Sequence, residues 1–277
     1  ALSVFLIFGG ASAGACTSPD DVVARTRVVA APPTGGGSPS SFDCVSPPLL
    51  SADAPDVVAL YGFEDAEGAS SVADSTGRQH GLVVGGTFVA EAGPAGCGQA
   101  LALGTEQRRV VLPDSPTWDL DTGSVDFWFR VPSEVVEALG MLGRDQQGTD
   151  FPGHLSIWLT AQRTVTLRLQ GSGQHSVRCS EEPLEPGAWV HVGFNFGSPG
   201  TALYVNGVLA ERTGDPQVET VVPECGTETL DGIAGNNLDW LLGSDTARTT
   251  QPLVDVQRHF HGGAFDALRI SSIRRAY

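Results

Sequence analysis

Apolar and polar side chains alternate along several short stretches of this 277-residue chain. The clearest alternation runs through residues 125–131 and again through residues 190–196. A period of two puts successive side chains on opposite faces of a β-strand, so each stretch predicts a strand with one buried face. Asn206-Gly207 separates two further apolar runs. It predicts a tight hairpin, because a type I′ turn needs positive φ at both central positions.

Short apolar runs separated by turns continue through the rest of the chain from about residue 57. Residues 56–65, 81–90 and 236–245 predict strands, and the last segment predicts one more strand followed by a tail. Only residues 133–142 have a helix-like pattern. Strands do not alternate with helices, and glycine (35) and proline (18) are frequent, which favours turns. The pattern predicts an all-β fold, a single antiparallel sandwich.

The N-terminal region differs in character from the strand-rich part. Residues 1–16 form an apolar run ending in small residues and Cys16, as in a signal peptide with a lipobox-like end. Ala13 departs from the leucine usual in a lipobox, so ordinary signal-peptidase cleavage stays open as the alternative to lipidation of Cys16. Residues 17–55 are rich in Pro, Gly and Ser, which predicts a linker to a domain at 56–277.

Charge excludes one class of partner. The chain has no lysine, and 16 arginines face 32 acidic residues, giving a net charge of −16. A surface of this charge repels phosphate backbones, so we expect no nucleic-acid partner. We expect contact with a membrane only through the N-terminal lipid anchor.

Cysteine parity agrees with export. If Cys16 is acylated or removed, four cysteines remain, an even number suited to an oxidising compartment. Three pairings are open, and we favour Cys44 with Cys97 and Cys179 with Cys225, because each closes a moderate loop. A zinc site is the rival interpretation, but the chain contains no C-x-x-C pair.

Four motifs, in order, resemble the laminin G-like domains of the concanavalin A-like lectin/glucanase superfamily. They are "VALYGFEDAEGASSVADSTGRQHGLVVGG", "GSVDFWFRVPS", "PGAWVHVGFNFGSPGTALYVNGVLA" and "FDALRISSIRRAY", and together they span residues 57 to 277. The resemblance implies a jelly roll of two antiparallel sheets, one of them concave.

The stretch "ADSTGRQHG" has two interpretations. Asp74 can cap a turn in which Gly77 supplies positive φ, with no further role. The resemblance instead implies a structural Ca²⁺ held by the side chains of Asp74 and Asp266, with carbonyl oxygens from Gly77 and His80. Ca²⁺ needs six to eight oxygen ligands, so Asp74 alone is not enough.

Catalytic motifs are lacking in the sequence. Glycosidases on this fold carry an E-x-D-x-E strand whose carboxylates flank the scissile bond, and no such strand occurs. Asp119, Asp121 and Asp126 are interrupted by a glycine turn and predict a solvated loop. His259 and His261 would point the same way on a strand, but a zinc site needs a third ligand, which the sequence does not provide.

One polar face remains as a candidate binding surface. If Phe127 and Val190 point inward, the side chains of the opposite parity could contact a sugar or a peptide; they are Trp128, Arg130, His191 and Asn195. We favour the other interpretation, that Trp128 is itself a core residue, because both faces of a strand in a large sandwich can be covered.

We therefore expect an exported, non-catalytic module that binds a glycan or a protein at the cell surface, anchored by lipid or fully secreted. A carbohydrate-active enzyme, glycosidase or lyase, with a diverged site and a structural envelope protein are the alternatives.

Overall fold

Two eight-stranded antiparallel sheets and a two-stranded hairpin form the described part of the protein. A computed structural model describes residues 51–104, 107–145, 152–214, 224–248 and 255–277, and eighteen strands lie within them. The first sheet has the order β14-β13-β12-β7-β18-β5-β4, with β1 also paired to β18. Its strands are β1 (Val57–Tyr61), β4 (Ala90–Ala92), β5 (Gln99–Leu103), β7 (Gly123–Arg130), β12 (Trp189–Phe196), β13 (Ala202–Val205), β14 (Val208–Leu209) and β18 (Gly263–Ser271).

The second sheet has the order β11-β10-β9-β8-β15-β6-β3-β2, and a separate hairpin of β16 and β17 accompanies it. Its strands are β2 (Ser71–Val72), β3 (Gly81–Val84), β6 (Arg109–Leu112), β8 (Leu139–Arg144), β9 (Leu155–Leu159), β10 (Val165–Gln170), β11 (His175–Cys179) and β15 (Trp240–Leu242). The hairpin strands are β16 (Ser244–Arg248) and β17 (Asp255–His259). In the described part, helical structure is confined to two 3₁₀ turns, Pro94–Gly96 and Pro116–Trp118. The predicted all-β sandwich is confirmed.

A single large apolar core lies between the sheets. Phe127 and Phe129 of β7 and Val192 and Phe194 of β12 are fully buried in it, as their alternation predicts. Ile157 of β9, in the second sheet, belongs to the same cluster. Burying one such side chain stabilises the fold by about 1.5–3 kcal/mol, so the alternation fixes which face of each strand points inward.

The predicted hairpin is present. β13 and β14 pair across Asn206 and Gly207, whose φ angles are 51° and 77°. Both values lie in the left-handed region that a type I′ turn requires.

The predicted helix over residues 133–142 is wrong. β8 occupies Leu139–Arg144, and all six of its residues are buried. A strand covered on both faces loses the alternation of apolar and polar residues, so its sequence resembles a buried helix. The covering element is the β16–β17 hairpin, since a Cβ atom on Gly140 would collide with Asp245 Oδ1.

β18 changes partner halfway along its length. Residues 263–265 pair with β5, and residues 268–271 pair with β1. Between them the register shifts between Asp266 and Arg269, and Ala267 has a φ of 50°. Such a bulge re-aims a side chain, and here it places Asp266 at the junction of three strands.

Residues 1–50, which include the predicted signal peptide, Cys16, Cys44 and nearly all of the predicted linker, lie outside the described residues. These assignments remain predictions. Within the described ranges, no helix has the length and apolar character needed to cross a membrane.

Candidate functional site

Asp74 serves the turn after β2. Its Oδ1 accepts hydrogen bonds from the backbone N–H groups of Leu60 (3.0 Å) and Thr76 (2.9 Å). Its Oδ2 accepts bonds from the Thr76 hydroxyl (2.6 Å) and from the backbone N–H groups of Arg78 and Gln79. Burial alone would raise the pKa of Asp74, but these hydrogen bonds outweigh it and lower the pKa. The carboxylate is therefore saturated by the protein itself.

The other residues predicted as Ca²⁺ ligands in this turn, Gly77 and His80, also have a part in the turn itself. Gly77 has a φ of 72° and supplies the left-handed position of the turn. His80 accepts a hydrogen bond at Nδ1 from the backbone N–H of Asp74 (3.0 Å). The turn interpretation accounts for these contacts without a cation.

Asp266 lies in different surroundings from Asp74. Its Oδ1 accepts a bond from the N–H of Ala267, and its Oδ2 faces Gly93, where a Cβ atom would lie 3.1 Å from it and would collide with the Cys97 carbonyl oxygen. Burial, with a smaller contribution from the charge of Glu64, raises the pKa of Asp266 to about 7. Asp266 thus shares its environment with Glu64 and a carbonyl group.

The four predicted binding residues do share the outer face of the first sheet. His191 pairs with Trp128 across β12 and β7, with ring centroids 5.2 Å apart. Arg130 makes a two-pronged ion pair with Glu91, at 2.6 and 2.8 Å. Trp128 is half-buried on this outer face, so its interpretation as a core residue is wrong.

The C-terminal tail, residues 272–277, covers this face. The side chain of Asn195 donates to the carbonyl of Arg275 (2.8 Å) and accepts from its N–H (2.9 Å). The Tyr277 ring occupies the space over Gly193, where a Cβ atom would lie 2.6 Å from it, and its centroid is 5.6 Å from that of His191. The face that sequence analysis proposed for a ligand is occupied by the protein's own chain.

A buried ion cluster underlies the tail. Asp126, which the sequence predicts in a solvated loop, is only 3% exposed in β7. Its carboxylate lies 2.8 Å from Arg269 and 3.4 Å from His191. Burial would raise the pKa of Asp126, but the His191 hydrogen bond and Arg269 lower it below its usual value. The prediction for Asp126 is wrong because strand pairing with β18 brings Arg269 from 143 residues away.

The outer face of the second sheet carries a second polar cluster. Trp158 of β9 and Thr166 of β10 are direct cross-strand neighbours, and both are fully buried. The Arg258 guanidinium of β17 lies over the Trp158 ring, 4.5 Å from its centroid. Trp158 Nε1, Thr166 Oγ1 and Arg258 Nη1 have no hydrogen-bond partner within the described ranges. We call these three residues the donor cluster.

Two buried carboxyl groups border the donor cluster. Arg258 Nε donates to Asp245 Oδ1 (2.8 Å), and Arg258 Nη2 donates to Asp245 Oδ2. Asp145 accepts bonds from the Ser156 hydroxyl and from the backbone N–H of Thr246 (3.0 Å). Burial and the neighbouring Asp245 charge raise the pKa of Asp145 well above its usual value.

Metal and disulfide predictions have separate outcomes. In the described ranges, no group of three or more His, Cys, Asp or Glu residues could hold a metal ion, and His259 and His261 gain no third ligand of these types there. The Cys179–Cys225 disulfide is confirmed and closes a loop of 46 residues. Such a loop stabilises the fold by about 4 kcal/mol in the chain-entropy account. Cys97 is also disulfide-bonded, and its predicted partner, Cys44, lies outside the described residues.

Sequence comparison identifies the family once this architecture is known. The model of the concanavalin A-like lectin/glucanases superfamily called Laminin_G_3 matches residues 104–272, which is more than half of the chain. The chain belongs to this superfamily. A comparison with curated protein sequences finds no match.

Solved structures of the concanavalin A-like fold are similar to this chain. Domain 4 of AbnA, a GH43 extracellular arabinanase from Geobacillus stearothermophilus in complex with arabinotriose, has a TM-score of 0.53 at 21% identity. The match covers 78% of this chain and 92% of that domain. A Trypanosoma rangeli sialidase has a TM-score of 0.50 at 14% identity, covering 92% of this chain and 35% of the sialidase. At these identities the likeness shows the fold alone.

The donor cluster was not predicted from the sequence, although part of its signal is present there. In β10, "VTLRLQ", Thr166, Arg168 and Gln170 alternate with three apolar residues, which is the pattern of a strand with a polar outer face. Asp245 and Arg258 carry no such signal, because they reach this face through the β16–β17 hairpin, which lies much later in the chain.

Proposed function

We propose that this concanavalin A-like domain is a non-catalytic, extracellular module that binds a glycan at the donor cluster on its second sheet. The observation that carries the proposal is that three neighbouring buried residues there, Trp158, Thr166 and Arg258, each have a polar atom without a protein partner in the described part of the chain. Buried polar groups are nearly always hydrogen-bonded, so unpaired groups at one place leave hydrogen-bonding capacity that a ligand can use.

The composition of the donor cluster fits a sugar. Trp158 supplies an aromatic ring that the Arg258 guanidinium covers, and Thr166 is its cross-strand neighbour. Sites for small ligands combine apolar and aromatic walls with a few convergent polar groups. The arabinanase domain described with arabinotriose is a precedent for a glycan ligand on this fold.

The first sheet is the less suitable surface in this proposal. Asn195 and His191 contact the C-terminal tail, and Arg130 pairs with Glu91. A ligand there would have to displace a tail whose backbone is already hydrogen-bonded. A protein partner at the first sheet is therefore the alternative outcome, which loss of binding in a Trp128 variant would indicate.

The absence of catalysis is part of the proposal. The two carboxyl groups nearest the donor cluster, Asp145 and Asp245, already accept hydrogen bonds from Ser156, Thr246 and Arg258. A glycosidase needs one carboxyl group to give a proton and another to act on the opposite side of the sugar. Release of reducing ends from any bound oligosaccharide would contradict this part of the proposal and favour the enzyme.

The decisive test compares two tryptophans on opposite faces. Arrayed oligosaccharides, arabinotriose among them, identify a ligand, and calorimetry measures its affinity. We expect Trp158→Phe, which keeps an aromatic ring but removes Nε1–H, to weaken binding about tenfold, the usual scale for one buried hydrogen bond. Trp128→Phe is the matched control and should change the affinity less than about twofold, because that side chain lies on the other sheet. No binding to any oligosaccharide, or equal losses in both variants, would reject the site.

We also propose that Ca²⁺ binds at Asp266, with Glu64 and the Cys97 carbonyl as further oxygen ligands. The half-buried carboxyl of Asp266 receives a hydrogen bond only from Ala267 among the contacts described, and a hard cation would stabilise its charged form. The site predicted from sequence thus keeps Asp266 but exchanges Asp74 for Glu64.

Two variants separate these ligand sets. If Asp266 binds Ca²⁺, the melting temperature should rise when CaCl₂ is added to EDTA-treated protein, and Asp266→Asn should abolish that rise. Asp74→Asn should lower the melting temperature with and without Ca²⁺ but preserve the rise. An identical melting temperature with EDTA and with CaCl₂ would remove calcium from the proposal.

A further inference from the structure

The β16–β17 hairpin is a separate layer on the outer face of the second sheet. In the described ranges each of its strands pairs only with the other, and none of their described residues belongs to the large apolar core cluster. Gly243, with a φ of 86°, immediately precedes β16, and Phe260, which follows β17, is fully buried in the core. Segments with few apolar contacts open at a lower free energy than the core does. The hairpin can therefore move away from the second sheet while Phe260 and the sandwich stay in place.

Two glycines of β8 let the hairpin approach the sheet closely. A Cβ atom on Gly140 would lie 2.7 Å from the Arg258 carbonyl oxygen and would collide with Asp245. A Cβ atom on Gly143 would lie 2.9 Å from the Asp245 Cα atom. Gly140 is the cross-strand neighbour of Trp158, whose ring lies under the Arg258 guanidinium. The hairpin thus covers Trp158, which is 0% exposed, and a ligand can contact that ring only after the hairpin has moved.

The contact between hairpin and sheet contains two buried carboxyl groups. Arg258 gives Nε and Nη2 to Asp245, which forms an ion pair within the hairpin. Asp145, which follows β8, accepts a hydrogen bond from the Thr246 N–H of β16 (3.0 Å) and another from the Ser156 hydroxyl of β9. Asp145 is therefore the group through which the sheet is bonded to the hairpin.

Other charged and titratable side chains lie on the elements around Asp145. They are Arg144 of β8, His154 before β9, Arg168 of β10 and His259 of β17. Arg144 donates to Asp114, and Arg168 donates to Gln170. Both of these guanidinium groups thus have other partners.

Arg258 is the cation that acts on both buried carboxyl groups. Burial, and then the charge of Asp245, raise the pKa of Asp145 well above its usual value, and Arg258 offsets only part of this. Burial also raises the pKa of Asp245, against the opposing effects of Arg258 and His259. The ion pair with Arg258 favours the charge on Asp245, so in the closed hairpin the proton belongs to Asp145.

Resting on the glycan-binding function proposed above, we propose that the β16–β17 hairpin is a pH-dependent cover of the donor cluster. Loss of the proton from Asp145 places a second negative charge against Asp245, and the hairpin opens from β8 so that water reaches both carboxyl groups. Opening uncovers Trp158. The cover explains how a ligand can reach a ring that is fully buried in the closed hairpin.

The direction of the pH dependence follows from this proton. In the closed hairpin Asp145 titrates at its raised pKa, and in the open hairpin it titrates near the usual value of about 3.9. Opening therefore releases a proton between these two values, and the open fraction rises with pH by up to about tenfold per pH unit. Above the raised pKa the carboxyl is ionised in both states, and the open fraction becomes constant.

Exchange of tryptophan indole N–H groups with deuterated solvent measures the opening without a ligand. NMR follows this exchange between about pH 5 and about pH 9, and each rate is divided by the intrinsic rate of an exposed indole at that pH. We expect the corrected rate at Trp158 to rise with pH by up to about tenfold per unit. Trp118, whose Nε1 donates to the Pro113 carbonyl within the core, is the internal control and should exchange more slowly, because the sandwich itself must open.

Two variants test the cause of the opening. Asp145→Asn keeps a hydrogen-bond acceptor but cannot ionise, so exchange at Trp158 should stay slow and lose its pH dependence. Gly140→Ala adds a Cβ atom against the hairpin and should speed that exchange about tenfold at every pH. Gly173→Ala is the matched control, at an exposed glycine where an added Cβ atom meets nothing within 4 Å, and should leave exchange unchanged. A variant that fails to fold would speed exchange at Trp118 as well.

Glycan affinity supplies the second readout. Arabinotriose and any neutral oligosaccharide that the array identifies are titrated by calorimetry at about pH 5 and about pH 8, because a neutral sugar does not itself titrate there. The affinity of the unaltered protein should rise with pH in proportion to the open fraction. Asp145→Asn should keep the lower affinity at both pH values.

Three results would overturn the inference in distinguishable ways. If Trp158 exchanges no faster than Trp118, or keeps its pH dependence in Asp145→Asn, this proton does not release the hairpin. If exchange behaves as expected but an oligosaccharide binds equally at both pH values, the glycan function stands and the hairpin does not cover its site. If no oligosaccharide binds at either pH, the proposed function fails, and the hairpin is not the cover of a glycan site even where exchange shows that it opens.

Discussion

The outer faces of the two sheets both carry polar side chains on alternating strand positions, but they differ in how those side chains are partnered. On the first sheet, Asp126 pairs with Arg269 and His191, and Asn195 holds the backbone of Arg275. On the second sheet, Trp158 and Thr166 are just as deeply buried, yet Trp158 Nε1 and Thr166 Oγ1 have no partner in the described part of the chain.

The difference separates two uses of a polar strand face. A buried polar group with its partners in place stabilises the fold, whereas an unpaired one destabilises it. The first face therefore contributes to folding, and the second retains an unfavourable arrangement that a ligand could relieve. Removing polar groups from each face in turn tests this difference.

The largest effect is expected on the first sheet. Asp126→Ala leaves Arg269 buried without its carboxylate, and removing one partner of a buried ion pair costs about 3–5 kcal/mol. Urea unfolding measures this loss. Asp121→Ala, at an exposed position just before the same strand, is the control and should change the free energy of unfolding by no more than about 0.5 kcal/mol. Similar losses in the two variants would show that the contacts of the Asp126 carboxylate do not stabilise the fold.

A smaller effect is expected from pH. The free energy of unfolding should change with pH in opposite directions for the buried carboxyl groups of the two faces. The folded pKa of Asp126 is lowered, so its contribution is present above the unfolded pKa of about 3.9 and is lost as pH falls through the folded value. The folded pKa of Asp145 is raised, so the native state binds more protons and stability falls as pH rises from about 3.9 through the folded value.

Asparagine variants isolate the contribution of each carboxyl group to the slope of the unfolding free energy against pH. Asp126→Asn should flatten the loss of stability on the acid side, and Asp145→Asn should flatten the loss on the alkaline side. An asparagine at 145 can still accept from the Thr246 N–H and can donate to Ser156, as a protonated carboxyl would. Unfolding free energies between about pH 2 and about pH 9 give both slopes, and slopes of the same sign for the two carboxyl groups would contradict the comparison.

The features predictable from sequence are those that need only neighbouring residues. Alternation defines the buried faces of β7 and β12, and Asn206-Gly207 defines its own turn. Loop length favoured the Cys179–Cys225 pairing, which the structure contains.

The missed features depend on partners distant in the chain. β8 gave no alternation because the β16–β17 hairpin covers its outer face. The sequence predicts Asp126 in a solvated loop because its partner, Arg269, lies on β18, far along the chain. Trp158 has no recognisable role in the sequence because Arg258, which lies over its ring, comes from β17. Local patterns in the sequence are enough to predict the strands. The partner of each polar group depends on the order of the strands in the sheet, and local patterns do not reveal that order.

The smallest effect is the most diagnostic. Thr166→Val replaces a buried, unpaired hydroxyl by a methyl group of the same shape, so no hydrogen bond is lost within the described structure. We expect the free energy of unfolding to stay unchanged or to rise by about 1 kcal/mol, because an unsatisfied group is removed. Ser124→Ala is the matched control on the first sheet, where the hydroxyl donates to the Ile273 carbonyl at 2.8 Å, and should cost about 1 kcal/mol. A loss for Thr166→Val as large as that for Ser124→Ala would mean that the buried hydroxyl groups of both faces have hydrogen-bond partners.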